Sequence, residues 1–182
     1  MKIKKIEETL EIPNGIQIII DGRVITVKGP KGEARKEIRC PQVIVRIKDN
    51  QVILTSEKIT KKEKKEVNTY TAHIKNMING AEKGHVYELK ICSGHFPMNV
   101  SVSGQEFIIK NFIGEKSPRK LKILHGATVK VDGDKIKVEH VDKEVAGQTA
   151  ASIEQLTRRP GFDTRIFQDG IYIINKDGKE ML

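Results

Sequence analysis

The chain has no tryptophan, 4% aromatic residues and two cysteines in 182 residues. With 37% apolar residues and no Trp it can build small cores, but not one large aromatic-rich core. Cys40 and Cys92 are far apart and form no CxxC pair, which excludes a disulfide framework and leaves reduced thiols in or beside strands. No apolar run approaches the length of a bilayer-spanning helix. The longest, Ile16 to Ile20, is interrupted by Gln17 and ends at Asp21-Gly22. The charged start MKIKKIEETL is followed by no apolar stretch, so no signal peptide is expected, and the chain reads as soluble and cytoplasmic. His73, His85, His95, His125 and His140 form no HxH or HxxxH, no glycine-rich phosphate loop follows a strand, and G-x-S-x-G is absent. Asp132-Gly133-Asp134 reads as a hairpin tip rather than a metal-binding carboxylate pair. The expectation is a non-enzyme with no metal, cofactor, membrane or small-molecule partner.

What the chain does have is positive charge. Its formal net charge is +9 and its pI about 9.5, a balance that favours a polyanionic partner through counterion release. Residues 1–84 hold 18 Lys and Arg against 11 Asp and Glu, and residues 85–182 hold 15 against 13. A binding surface in the second half must therefore segregate its charge onto one face.

Along the chain, strands come first in each half. Ile16–Ile20 and Arg23–Lys28 read as strands joined at Asp21-Gly22, a dipeptide favoured in two-residue hairpins with positive φ at both central positions. Gly29-Pro30-Lys31-Gly32 reads as a loop between strands, which rejects a KH-type GxxG clamp between helices. Ile38–Cys40 suggests a further short strand, and Val43 to Leu54 a hairpin turning at Asp49-Asn50. Thr60-x-x-Glu63 fits a capping box. Val67, Tyr70, Ile74 and Ile78 then recur at helical spacing, and Asn79-Gly80 is expected to close the helix. The pattern starts again near Phe96. Phe96-Pro97-Met98-Asn99-Val100 echoes Ile12-Pro13-Asn14-Gly15-Ile16, Ile108-Ile109 echoes Val24-Ile25, and Val129 to Val138 echoes Val45 to Leu54. Asp142 caps a second helix, with an apolar side at Val145, Thr149, Ile153 and Leu156 and a stop at Pro160-Gly161.

The fold expected is therefore α+β: two tandem similar modules, each a mostly antiparallel β-sheet covered by an amphipathic helix. Their limits are placed at residues 1–82 and 83–174, with 175–182 as a polar, mobile C-terminal tail.

Candidate RNA contacts lie mainly in the second module. Arg158, Arg159 and Arg165 follow the second helix beside Phe162 and Phe167, a combination suited to phosphate forks and base stacking. Gly147, Ala150 and Ala151 make the preceding helix small-sided, and Lys143, Gly147 and Gln148 join the candidates there. Lys116, Arg119, Lys120 and Lys122 form a basic set after Gly114, and His95 sits in the turn before Phe96. A secondary set, Lys58, Lys61, Lys62 and Lys65, surrounds the start of the first helix; a solvated helix face with local ion pairs explains it better than a phosphate contact does. A tandem adaptor for a protein partner is the rival reading.

The ordered set Val27-Lys28-Gly29-Pro30-Lys31-Gly32, Gly94-His95-Phe96-Pro97-Met98-Asn99-Val100, Asn111-Phe112-Ile113-Gly114-Glu115-Lys116, Val145 to Ile153 and Asp169-Gly170-Ile171-Tyr172 resembles large-subunit ribosomal protein six in its archaeal and eukaryotic form. The resemblance covers nearly the whole chain. It implies two tandem α+β domains and binding of large-subunit (23S-type) rRNA, principally by the second domain. The implied location is beside the sarcin–ricin loop at the stalk base, next to other ribosomal proteins and where translation factors dock. The bacterial form carries a Pro-Glu-Pro-Tyr-Lys-Gly-Lys-Gly arm after its second helix. Here that position reads Arg159-Pro160-Gly161-Phe162-Asp163-Thr164-Arg165, so the region carries over but the individual contacts do not.

Overall fold

Alternating apolar residues build six strands in the first half and eight in the second, in a computed structural model that describes residues 5–57, 60–94, 96–163 and 165–181. The first half contains β1 (Ile6–Glu11), β2 (Gln17–Asp21), β3 (Val24–Gly29), β4 (Gly32–Glu37), β5 (Ile44–Lys48), β6 (Gln51–Ser56) and α1 (Lys61–Lys83). The second contains β7 (His85–Cys92), β8 (Asn99–Ser103), β9 (Glu106–Lys110), a 3-10 turn at Phe112–Gly114, β10 (Arg119–Lys122), β11 (Thr128–Asp132), β12 (Lys135–His140), α2 (Lys143–Leu156), β13 (Gly170–Lys176) and β14 (Lys179–Glu180). The chain divides into compact units between Gly84 and His85. That is two residues beyond the limit expected from sequence, because α1 continues to Lys83.

The internal repeat is visible in the strand order. Unit 1 pairs β1-β6-β5 and β2-β3-β4; unit 2 pairs β7-β12-β11 and β8-β9-β10. Unit 2 then adds β13 and β14 on the other side of β7. Every described pairing is antiparallel, and each helix lies against its own unit's strands. The fold is α+β as expected, with two sheets per module rather than one.

The Asp-Gly turns form one residue later than the sequence suggests. Asp21 pairs with Val24 and Asp132 with Lys135, so the loops are Gly22-Arg23 and Gly133-Asp134. Only the glycine of each has positive φ, +58° at both, the pattern of a type II′ turn. Asp49-Asn50 instead has positive φ at both positions, 48° and 61°, as type I′ requires. Register also corrects the repeat. Counted from the turns at Gly22 and Gly104, Phe107 and Ile109 are the equivalents of Ile25 and Val27, and all four are buried.

In unit 1 the expected strand at Ile38–Cys40 is absent. The strand is β4, and the backbone N–H groups of Arg39 and Cys40 donate to the Tyr70 hydroxyl, at 2.9 and 3.3 Å. Thr60 caps α1, accepting from Lys62 N at 3.3 Å, while its hydroxyl donates to Glu63. The helix runs past Asn79-Gly80 because Gly80 and Ala81 are buried, and the loop between β3 and β4 docks on its last turn. Lys31 N donates to Ala81 O at 3.0 Å. A Cβ on Gly29 would lie 2.5 Å from that carbonyl oxygen, so the glycine of Gly29-Pro30-Lys31-Gly32 serves close approach to α1.

Unit 2 packs Leu89, Phe107, Ile109, Phe112, Ile136, Val138 and Ile171 beneath α2. The buried face of α2 is Ala146, Thr149, Ala150 and Ile153; Val145 and Leu156 are half-buried. Burying a side chain such as Ile153 contributes about 1.5–3 kcal/mol. The helix ends at Leu156, before Pro160-Gly161. There the Thr157 hydroxyl donates to Glu154 O at 2.9 Å and accepts from Ile171 N at 3.0 Å, tying the helix end to β13.

Residues 175–181 are not a free tail. Asn175 and Lys176 complete β13, and Asp177-Gly178 turns the chain into β14. Asp177 N donates to Val86 O at 2.9 Å. The Asp177 carboxylate lies 2.8 Å from Nδ1 of buried His85 and 3.5 Å from Lys143 Nζ. Burial pushes this carboxyl up, but the His85 hydrogen bond and charge, with Lys143, bring it net below its ordinary value.

Candidate nucleic-acid interface

The end of α2 is gripped by Arg119, the first residue of β10. Its Nη1 donates to Leu156 O at 2.6 Å and to Arg158 O at 3.4 Å. Its Nε and Nη2 fork onto Glu115 at 2.8 and 2.6 Å, and the guanidinium lies 4.3 Å over the Phe112 ring. The last carbonyls of a helix lack partners and carry partial negative charge, so a cation there caps the helix. Arg119 holds the Glu115 carboxyl below its usual range, against the opposing effect of burial. With its side chain 21% exposed and its donors engaged, Arg119 sits as a clamp. It does not stand out as a solvent-facing cation.

The clamp gathers Lys116, Arg158 and Arg159 at one end of the helix. Lys116 and Arg158 are exposed and their charged groups have no partner among the described residues. Arg159 lies over the Phe162 ring at 4.2 Å, and Phe162 meets Phe167 edge to face at 4.9 Å. Arg165 is highly exposed, at 88%, but forks onto Asp163 at 2.8 and 3.1 Å. The Arg165 N–H also donates to that carboxylate, at 2.9 Å. These bonds lower the Asp163 carboxyl and raise Arg165. Residues 157–163 and 165–169 thus belong to a folded loop, pinned at one end by Thr157 to Ile171 and at the other by Gly94 N donating to Asp169 at 2.7 Å.

The remaining candidates are dispersed. Lys120 and Lys122 lie on β10 rather than in a loop, and exposed Lys120 is 3.7 Å from Glu106. Lys143 opens α2 and faces Asp177, about 20 Å from the arm end of the helix at 1.5 Å per residue. Gln148 is exposed on the outer side of α2. Gly147 packs over Tyr87: a Cβ there would lie 3.2 Å from the Tyr87 hydroxyl. Ala146 and Ala150 also turn to the sheet, so the small side of α2 seats the helix rather than facing outward. Burial, and secondarily Asp177, raises the Tyr87 hydroxyl. In unit 1, Lys61, Lys62 and Lys65 are exposed. Lys58 and His95 lie outside the described residues.

Sequence reading did not single out Phe112, Glu115, Glu154, Thr157 or Asp169 as part of this region. The Glu115–Arg119 spacing of four was the one local signal. The others depend on contacts across the fold.

Beside the arm is a cleft of about 540 Å³, lined among others by Ile113, Glu154, Phe162, Phe167 and Tyr172. Taken together, the described residues of the second unit place an arm tied at both ends, the unpartnered cations Lys116 and Arg158, an arginine–aromatic stack and a cleft at the end of one helix.

Comparison with known proteins supplies the family of the chain. The family described as Ribosomal protein L6 matches residues 12–84 and 96–170. Large ribosomal subunit protein uL6 of Methanosarcina mazei is 43% identical over 174 residues, covering 96% of this chain and 99% of that protein. The uL6 of Methanobrevibacter smithii is 43% identical over 172 residues, covering 94% and 97%. That of Methanococcus vannielii is 43% identical over 174 residues, covering 96% of each. The chain belongs to the ribosomal protein L6 family, and with it to the structural, non-catalytic proteins of the large ribosomal subunit.

Proposed function

We propose that the chain binds large-subunit (23S-type) rRNA through unit 2, near the sarcin–ricin loop and the stalk base. It lies there beside other ribosomal proteins and close to where translation factors dock. One observation carries this reading: Lys116 and Arg158 are exposed and unpartnered at the end of α2, next to the Arg159–Phe162 stack. Such a group offers phosphates their counter-charge and offers bases a planar surface. The outer strip of α2, with Gln148 and Gln155 exposed, supplies uncharged polar groups that approach RNA without repulsion. Lys143 and Lys120 extend the basic surface, while Gly147 and Arg119 position it. Lys61, Lys62 and Lys65 of unit 1 form a secondary contact.

The test is binding of the full chain to large-subunit rRNA across a salt series. Each phosphate neutralised contributes about −0.7 to −0.9 to the slope of log affinity against log salt. Changing Arg158, Arg159 and Arg165 to Ala should flatten the slope by about 2 units, while the thermal midpoint changes little, since Arg158 and Arg165 are exposed and Arg159 is half-exposed. A sarcin–ricin fragment should compete for the wild type. Affinity indifferent to salt, or unchanged in the triple variant, would count against the proposal.

A further inference from the structure

We infer that the cleft beside the arm holds an unpaired guanine base extruded from the RNA, with Glu154 reading its donor edge. This deepens the rRNA-binding proposal and rests on it. The cleft volume, about 540 Å³, falls within the usual range of roughly 300–1,000 Å³ for small-ligand pockets. Its walls combine two chemistries. Phe162, Phe167, Tyr172 and Ile113 supply flat and apolar surface, which suits stacking of any base. Arg158 and Arg159 line the same cleft and supply counter-charge for the phosphates on either side of that base.

The selective element is Glu154. Its Oε1 accepts from Ile173 N at 3.0 Å, which fixes the carboxylate in place on α2. Its Oε2 has no partner among the described residues, and a carboxylate accepts at about four lone-pair sites. A fixed acceptor-only group in an aromatic-walled cleft repels a phosphate and favours a ligand edge made of donors. Among the four bases, guanine alone presents two adjacent donors on its Watson–Crick edge, N1–H and the 2-amino group. Adenine and cytosine place an acceptor beside their amino group, and uracil has one donor between two acceptors. An ionised acceptor paired with two donors gives charge-assisted, forked hydrogen bonds. RNA recognition commonly splays single-stranded bases in this way, stacking them on aromatics and reading their edges.

The experiment uses the full chain and three short single-stranded RNAs: oligouridine, and the same RNA with one central guanosine or one central adenosine. The guanosine RNA should bind at least about tenfold more tightly than either comparator, the discrimination typical of one forked base contact. It should also shift the Phe162 and Phe167 ring resonances and the Ile113 methyls. Glu154→Gln, which keeps an oxygen acceptor for Ile173 N, should abolish the preference and leave the weaker base-independent binding. Should that variant fail to fold, replacing guanosine by inosine, which lacks the 2-amino donor, makes the same test from the RNA side and should lower affinity. Equal affinity for all three RNAs, or resonance shifts confined to residues away from the cleft, overturns the inference. If salt-dependent rRNA binding persists in that case, only the base pocket is lost; if it is absent too, the rRNA-binding proposal falls as well.

Discussion

Removing the Arg119 side chain should loosen the arm before it affects anything else. The guanidinium donates to Leu156 O at 2.6 Å, forks onto Glu115 and covers Phe112. A hydrogen bond from a charged group contributes about 1.5–3 kcal/mol, and the cation–π contact about 0.5–2 kcal/mol. The ion pair with part-exposed Glu115 adds about 0–1 kcal/mol. These contributions share one group and do not sum, so Arg119→Ala should cost unit 2 about 3 kcal/mol. For a unit of this size each kcal/mol shifts the midpoint by roughly 4–8 °C, which predicts a fall of at least about 10 °C. Calorimetry of the full chain should show it in the unit 2 transition, with unit 1 unmoved. Arg158→Ala is the comparator: its side chain is exposed and unpartnered, so stability should change by less than about 0.5 kcal/mol while rRNA affinity falls. Acid should erase part of the Arg119 effect. Glu115 has a lowered folded-state pKa, so its contribution is complete above its unfolded value and disappears as pH falls through the lowered one. A unit 2 midpoint within about 2 °C of wild type in Arg119→Ala would refute the clamp.

Three further outcomes test other parts of the structure. Gly29→Ala places a Cβ 2.5 Å from Ala81 O and should destabilise unit 1 by about 1–3 kcal/mol, seen as a lower first transition; an unchanged transition would mean the docking is loose. Asp177→Asn keeps a residue tolerant of the positive φ, 55°, but removes the charge facing His85 and Lys143. Amides of the β13–β14 hairpin should then exchange faster, and unchanged exchange would mean that the Asp177 contacts with His85 and Lys143 do not hold the hairpin. Because the Asp177 carboxyl is net lowered, the difference between Asp177→Asn and wild type should be full near neutrality and vanish as pH drops through that lowered value.

The sequence was most readable where local rules decide. Thr60 and Asp142 cap their helices as the residue types require, and alternation located most strands. The duplication was visible through spacing, and the strand order bears it out. The errors came where distant contacts override local preference. Asn79-Gly80 looked like a stop, yet burial of Gly80 and Ala81 carries α1 onward. Pro160-Gly161 looked like a stop, yet Thr157 ends α2 earlier by binding Ile171. In the candidate interface the basic residues were readable as residue types, but their partners were not. Apart from the Glu115–Arg119 spacing of four, nothing local distinguishes Arg119, whose donors are engaged across the fold, from Arg158, whose charged group has no partner among the described residues.

The position of β7 has a consequence for how the protein is made. β7 is the first strand of unit 2 to leave the ribosome, and it pairs on one side with β12 and on the other with β13. Unit 1 can close its own sheets during synthesis, since domains fold as units in order of emergence. Unit 2 must instead keep one edge of β7 open while α2 and the arm are being made. Only when β13 arrives does the arm gain its second anchor. A half-made chain therefore has no finished arm.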